Sequence, residues 1–180
     1  VSPFKDVREG DWYYDAVLYA VDRGLFNGTS ATTFEPNATM NRAMLVTVLH
    51  RMAGRPSASG SNPFTDVNAA EWYGPAVLWA NQAGIVTGTS ATTFDPNGTV
   101  TREQIAVMLY RYASYLGTDV SQRTSVSGFT DASRISDYAQ DAVSWAAAVG
   151  LLRGDAGRLN PGSGATRAEV ATILQRYNGG

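Results

Sequence analysis

Three arginines hold the same place in a recurring tetrad: Arg42 in Asn41-Arg-Ala-Met44, Arg102 in Thr101-Arg-Glu-Gln104 and Arg167 in Thr166-Arg-Ala-Glu169. Each directly follows a helix-capping residue and so falls in the first turn of a helix. There the macrodipole places partial positive charge, and a cation is disfavoured by roughly 0.3–1 kcal/mol. One such arginine would carry little meaning, but three in equivalent places imply a task other than helix stability. A helix start offers N–H groups to an anion, and Arg adds a planar fork matched to a carboxylate or phosphate. The competing reading is an inter-repeat salt bridge to Asp6, Asp66 or Asp131. If the arginines serve a ligand, removing one should weaken binding and leave thermal stability nearly unchanged or slightly raised.

Other recurring residues admit two readings each. Asp6, Asp66 and Asp131 close an F-x-D opening (Phe4, Phe64 and Phe129) and suit either hydrogen bonds to sugar hydroxyls or capping of a turn. Gly28, Gly88 and Gly154 permit positive φ or close backbone approach, which serves a tight turn or a ligand-lined loop equally. For Trp12, Trp72, Trp79, Trp145 and Tyr138, core packing is the default reading, since they fall on a helical stripe. Trp12, Trp72 and Tyr138 sit at the rim of their units, where they can also stack on a sugar face. A second set, Arg51, Arg111 and Arg176, lies towards helix C-termini, where a cation suits the dipole and the last carbonyls, and is read as structural.

Catalytic inventories fail. His50 is the sole histidine of the chain, is replaced by Tyr110 and Gln175 in the equivalent places, and reads as a surface residue. There are no cysteines, which removes disulfides, thiolate catalysis and Cys-based zinc sites together. No P-loop, nucleophile elbow or metal-binding His pair occurs, and no cofactor or metal is implied. A glycosidase pair of carboxylates is not excluded by counting among 16 acids, but the acids recur chiefly at cap-like positions. The net charge of -2 gives no general field for phosphates and argues against nucleic acid. The thirds of the chain carry 6 basic and 6 acidic residues, then 2 and 5, then 6 and 5; an anion must therefore be met by a few placed cations. No apolar run approaches the roughly 20 residues of a membrane helix, so no membrane insertion is expected. A processed exported chain lacks its signal sequence, so the absence of one here does not argue for the cytoplasm.

The elements that position these residues come in triplicate. Gly28–Phe34 and Gly88–Phe94 are the same heptad, GTSATTF, offset by 60. Ala16, Ala76 and Ala142 recur with an aromatic three residues on (Tyr19, Trp79, Trp145), then Gly24, Gly84 and Gly150, then Pro36, Pro96 and Pro161. Three units, 1–60, 61–120 and 121–180, cover the chain, joined by Pro/Ser/Gly-rich stretches at Gly54–Asn62 and Gly117–Ser127. Each unit reads as two helices around a polar loop ending in Phe-x-Pro (Leu-x-Pro in the third). The stripe Trp12, Ala16, Val17, Ala20, Val21 gives the first helix, stopped by Gly24. Capping boxes at Thr101–Gln104 and Thr166–Glu169 open the second, and Asn41 caps without a reciprocal partner. So short a unit buries too little surface alone, so neighbours should share a core and unfold as one body.

This ordered set, F-x-D, W-x-x-x-A-V, G-[LI]-x-x-G, F-x-P and T-R-[AE]-[EQ], resembles the S-layer homology (SLH) family over almost the whole chain. The resemblance implies an all-α fold in which three helix–loop–helix repeats form a pseudo-threefold, three-pronged spindle with a shared helical core and grooves between prongs. It implies anchoring of a surface-layer or exported protein, in the same chain, to a bacterial cell wall. The implied partner is a secondary cell-wall polysaccharide attached to peptidoglycan, bearing pyruvate-ketal N-acetylmannosamine. By resemblance Arg102 and Arg167 match the tetrad arginine that contacts ligand, with Arg42 in the divergent tetrad, and Asp6, Asp66, Asp131, Gly28, Gly88 and Gly154 belong to the same grooves; Trp12 and Trp72 join the expected site from their rim position. The rival readings are a structural or protein–protein assembly module with vestigial grooves, and a wall-acting glycosidase.

Overall fold

The computed structural model describes residues 1–179. Its elements are α1 (Tyr14–Asp22), α2 (Arg42–Met52), α3 (Gly74–Gln82), α4 (Arg102–Tyr115), α5 (Gln140–Ala148) and α6 (Arg167–Tyr177). Two short 3-10 turns, Ala132–Arg134 and Asp137–Ala139, precede α5. Among the described residues there are no strands, only isolated bridges, so the fold is all-α. None of these helices is long and apolar enough to cross a membrane.

The sequence punctuation is visible at both helix ends. Gly24, Gly84 and Gly150 take φ of +69°, +78° and +83°, the left-handed stop that a side chain resists. Thr101 and Thr166 make complete capping boxes with Gln104 and Glu169, while Asn41 accepts only from the Met44 N–H at 2.8 Å.

The two helices of one repeat do not form the packed pair. Instead α2 packs on α3, α4 on α5, and α6 returns to pack on α1. Each repeat thus lends its second helix to the next repeat's first, in an order that closes on itself. The reason is burial: Leu45, Val46, Val48 and Leu49 of α2 have no exposed area, and neither has Val77 or Ala80 of α3 opposite them. One continuous core therefore runs through all three units.

Backbone hydrogen bonds close the same circle at the centre. Met40 N–H donates to Ala165 O (2.9 Å), Val100 N–H to Met40 O (2.9 Å) and Ala165 N–H to Val100 O (3.0 Å). These segments come from all three repeats. Gly164 is required there, because a Cβ would run into the Thr99 side chain from the neighbouring unit.

Candidate functional site

The helix starts that carry the tetrad arginines face the following repeat, and their backbone is already occupied. Arg42 N–H donates to Gly98 O (2.9 Å) and Ala43 N–H to Pro96 O (3.0 Å). Arg102 and Glu103 repeat this with Ser163 O and Pro161 O, and Arg167 and Ala168 with Ala38 O and Pro36 O. The third N–H of each helix goes to its cap side chain. The expectation of N–H groups offered to an anion is therefore corrected: the next unit's Pro-bearing loop satisfies them, because a buried donor left unpaired is costly.

What remains is the side chains. Arg42 Nε donates to Phe94 O at 2.9 Å, Arg102 Nε to Leu159 O at 2.7 Å and Arg167 Nε to Phe34 O at 2.9 Å. The acceptor is the same loop position each time, one repeat onward. The guanidiniums of Arg42 and Arg167 also lie over the rings of Phe94 and Phe34, 4.7 and 4.5 Å from the centroids. Both arginines are buried, and burial lowers their pKa from the usual value, although a guanidinium stays charged. The salt bridge to an F-x-D aspartate does not form. The tetrad's one ion pair among the described residues joins Arg102 Nη1 to Glu169 Oε2 at 2.7 Å.

The aspartates hold the loops instead. Asp6 accepts from Phe34 and Glu35 N–H (2.9 and 2.8 Å), Asp66 from Phe94 and Asp95 (2.9 and 2.8 Å), and Asp131 from Leu159 and Asn160 (2.9 and 2.8 Å). Glu35, Asp95 and Asn160 have φ of +55°, +59° and +52°, so each carboxylate pins a loop residue in the left-handed region. For Asp6 and Asp66 burial is the largest single influence and opposes the charged form, yet the backbone donors together with a nearby cation (Lys5 and Arg42 respectively) hold the carboxyl below its ordinary pKa. For Asp131 the Leu159 N–H leads in the same direction. Each aspartate thereby fixes the residue whose carbonyl receives the arginine from the preceding repeat.

Gly28, Gly88 and Gly154 are explained by close approach. A Cβ at any of them would strike the ring of Phe4, Phe64 or Phe129, the first residue of F-x-D. Only Gly88 of the three also has positive φ, +87°.

Two grooves assemble around these arginines. One cavity of about 410 Å³ takes Arg42 from the first repeat, Thr87–Thr89 and Gln104, Met108 and Arg111 from the second, and Tyr138 from the third. Another of about 570 Å³ takes Arg102 from the second repeat, Arg153–Asp155, Glu169, Ile173 and Arg176 from the third, and Trp12 from the first. Every repeat contributes to each groove: the arginine, the loop with its helix, and the rim aromatic come from different units. Arg167 enters the first repeat's loop in the same manner, its Nη2 donating to Asn27 O at 2.7 Å.

Of the expected site residues, Arg42 and Gly88 meet in the first cavity, and Arg102, Gly154 and Trp12 in the second. Asp6 and Asp66 line neither; Asp131 lies behind its loop, on a separate cavity of about 700 Å³ with Arg134 and Arg158. Trp12 and Trp72 precede α1 and α3 and are 67% and 57% exposed, and Tyr138 is 59% exposed, so core packing holds only for Trp79 and Trp145. Sequence reasoning missed Arg111, Arg153 and Arg176 as lining residues. Arg111 lies inside α4, not in its last turn; Gln104, Met108 and Arg111 fall at i, i+4, i+7, a helical face that was legible. Arg51 and Arg176 donate to Leu25 O and Leu151 O (2.9 and 3.2 Å), beyond the first helix of their own repeat. His50 is also corrected: it is partly buried, its ring lies tilted against Trp79 with centroids 5.3 Å apart, and its Nε2 bonds Pro56 O at 2.9 Å.

Loops held by aspartates, and arginines reaching from one repeat into the next, define a closed three-repeat helical module with inter-repeat grooves. The model of the S-layer homology domain matches residues 3–43, 63–106 and 128–171, and the chain belongs to that family as three tandem SLH repeats. It is similar to an endoglucanase of Bacillus sp. (strain KSM-635), 35% identical over 96% of the chain and 18% of that protein. It is similar to the surface-layer 125 kDa protein of Lysinibacillus sphaericus, 31% identical over 90% of the chain and 14% of that protein. With the S-layer protein sap of Bacillus anthracis it shares 26% identity over 96% of the chain and 21% of that protein. The chain thus spans about a fifth or less of the length of these curated relatives.

Proposed function

We propose that this chain is a non-catalytic, exported anchoring module that holds its parent protein to a bacterial cell wall or S-layer. Its ligand is an acidic secondary cell-wall polysaccharide attached to peptidoglycan, gripped in the inter-repeat grooves by a pyruvate-ketal carboxylate. The observation that carries this is the composition of the Arg42 groove: two arginines, Arg42 and Arg111, no lining carboxylate, and an exposed aromatic, Tyr138, at the rim. A guanidinium sheltered from solvent, as Arg42 is, favours one fixed carboxylate, and an aromatic face suits the apolar side of a sugar ring. The near-neutral chain has no general field that would draw in polyphosphates instead. Family membership supports the anchoring role, as do relatives named as surface-layer proteins. Relatives named as an endoglucanase and an amylopullulanase match this chain over 18% and 9% of their lengths, consistent with a module shared beside the rest of those proteins.

The test is calorimetric titration with purified wall polysaccharide, pyruvylated against depyruvylated, beside sedimentation with sacculi that keep or lack the polymer. Binding that needs both polymer and ketal is expected. Equal binding to stripped sacculi would refute the reading.

A further inference from the structure

We infer that the third residue of each second helix sets which groove is open to an acidic ligand, and that Glu169 is a built-in competitor holding the Arg102 groove against carboxylates. The biological meaning of this rests on the glycan-anchoring reading; the physical claim does not.

The three tetrad arginines occupy equivalent positions but are not equally engaged. Arg102 donates through all three nitrogens: Nε to Leu159 O (2.7 Å), Nη1 to Glu169 Oε2 (2.7 Å) and Nη2 to Arg153 O (3.2 Å). The carboxylate on it is itself fixed, because Glu169 Oε1 accepts from the Thr166 N–H and hydroxyl at 3.3 and 3.1 Å. It therefore already stands, positioned by its own cap, where a ligand carboxylate would have to sit. The pair is mostly sheltered, with side-chain exposures of 14% and 29%.

In the Arg42 groove the same place belongs to Gln104, which makes the same capping box with Thr101. A neutral amide caps the helix as a carboxylate does, but brings no charge to occupy the arginine. Arg42 accordingly donates through Nε alone among the described residues and has no ion pair there. For Arg167 the equivalent residue is Met44, which can neither pair nor compete. One position thus serves two ends, capping its own helix and tuning the neighbour's arginine. Residue identity there separates an open groove from a self-occupied one.

The chain contains the control for its own test, since Gln and Glu both cap a second helix in it. The variants are Q104E, E169Q and the double exchange. The probe is sodium pyruvate, titrated while the arginine Nε–H resonances are followed by NMR, assigned through Arg42→Lys and Arg102→Lys. In the wild type, Arg42 should respond at about 3- to 10-fold lower pyruvate than Arg102, the scale of a sheltered ion pair that must be displaced. E169Q should bring Arg102 to the Arg42 range, Q104E should weaken Arg42 by a similar factor, and the exchange should reverse the order. Equal responses in the wild type, or an order that survives the exchange, would overturn the inference. If Q104E failed to fold, E169Q alone would still decide, by strengthening pyruvate binding at Arg102 or leaving it unchanged. The second probe is N-acetylmannosamine bearing a pyruvate ketal. Failure of that sugar to bind, with the pyruvate order reversed by the exchange, would reject the glycan reading and keep the groove assignment. Binding of the sugar with no change in order would do the opposite.

Discussion

Removing Arg167 should damage the fold, contrary to what helix position alone implies. The side chain donates from Nε to Phe34 O at 2.9 Å and from Nη2 to Asn27 O at 2.7 Å, and stacks over Phe34 and Phe26. Both acceptors lie in the first repeat, more than 130 residues earlier, so the arginine fastens the end of the chain to its beginning. Hydrogen bonds to a charged donor contribute about 1.5–3 kcal/mol each, and ring contacts of this kind roughly 0.5–2 kcal/mol. Relief of the dipole conflict returns about 0.3–1 kcal/mol, and water admitted to the truncated site recovers part of the loss. Arg167→Ala should then cost about 2–4 kcal/mol, the range of a broken buried network. For a chain of this size that lowers Tm by roughly 5–15 °C. Arg153→Ala is the matched control, since only its backbone carbonyl is used and its side chain is exposed. The measurement is a melting curve for each protein with and without saccharide. An Arg167→Ala protein that melted with the wild type would refute the reasoning and restore the dipole argument.

Gly88→Ala and Gly154→Ala should each destabilise by about 1–3 kcal/mol in denaturant titration, through collision with Phe64 and Phe129, whereas Gly128→Ala, with open space around it, should change little. Because the folded-state pKa values of Asp6, Asp66 and Asp131 are depressed, their contribution is present above the unfolded carboxylate value and is lost as pH falls through the folded one; an acid titration should accordingly show stability dropping below about pH 4. The isolated fragment 63–117 should give no cooperative melting transition, since α3 packs on α2 and α4 on α5, both partners lying outside it.

The helices, their caps and their stops were legible because each depends on neighbours in sequence: Thr101 with Gln104, Thr166 with Glu169, Gly24 at the end of α1. Pairing across repeats was not legible, because the apolar stripe of α2 fits α1 and α3 alike and only chain geometry decides between them. The same limit governed the site. Equivalence of Arg42, Arg102 and Arg167 identified the residues, but their satisfied helix starts, and the buttressing role of Asp131 behind Leu159, depend on loops supplied by another unit. Arg153 had no recurring counterpart to draw attention to it, as Asn27 and Thr87 stand in the other copies. Trp12 matched the helical spacing of the core yet lies before α1, where period 3.6 no longer governs direction.

The circle of bonds through Met40, Val100 and Ala165 limits how such a chain can be lengthened. An open stack of repeats leaves a bare face at each end, so it needs special end units and tolerates any number of interior ones. Here each of the six helices has its partner once α6 of the third unit meets α1 of the first, so among the described residues the helix pairing is left open at neither end. A fourth unit inserted in tandem would find no vacancy: it would have to break the α1–α6 contact and reopen the core, or begin a second ring elsewhere. Copy number is in this sense tied to which helix each end of the chain finds as its partner.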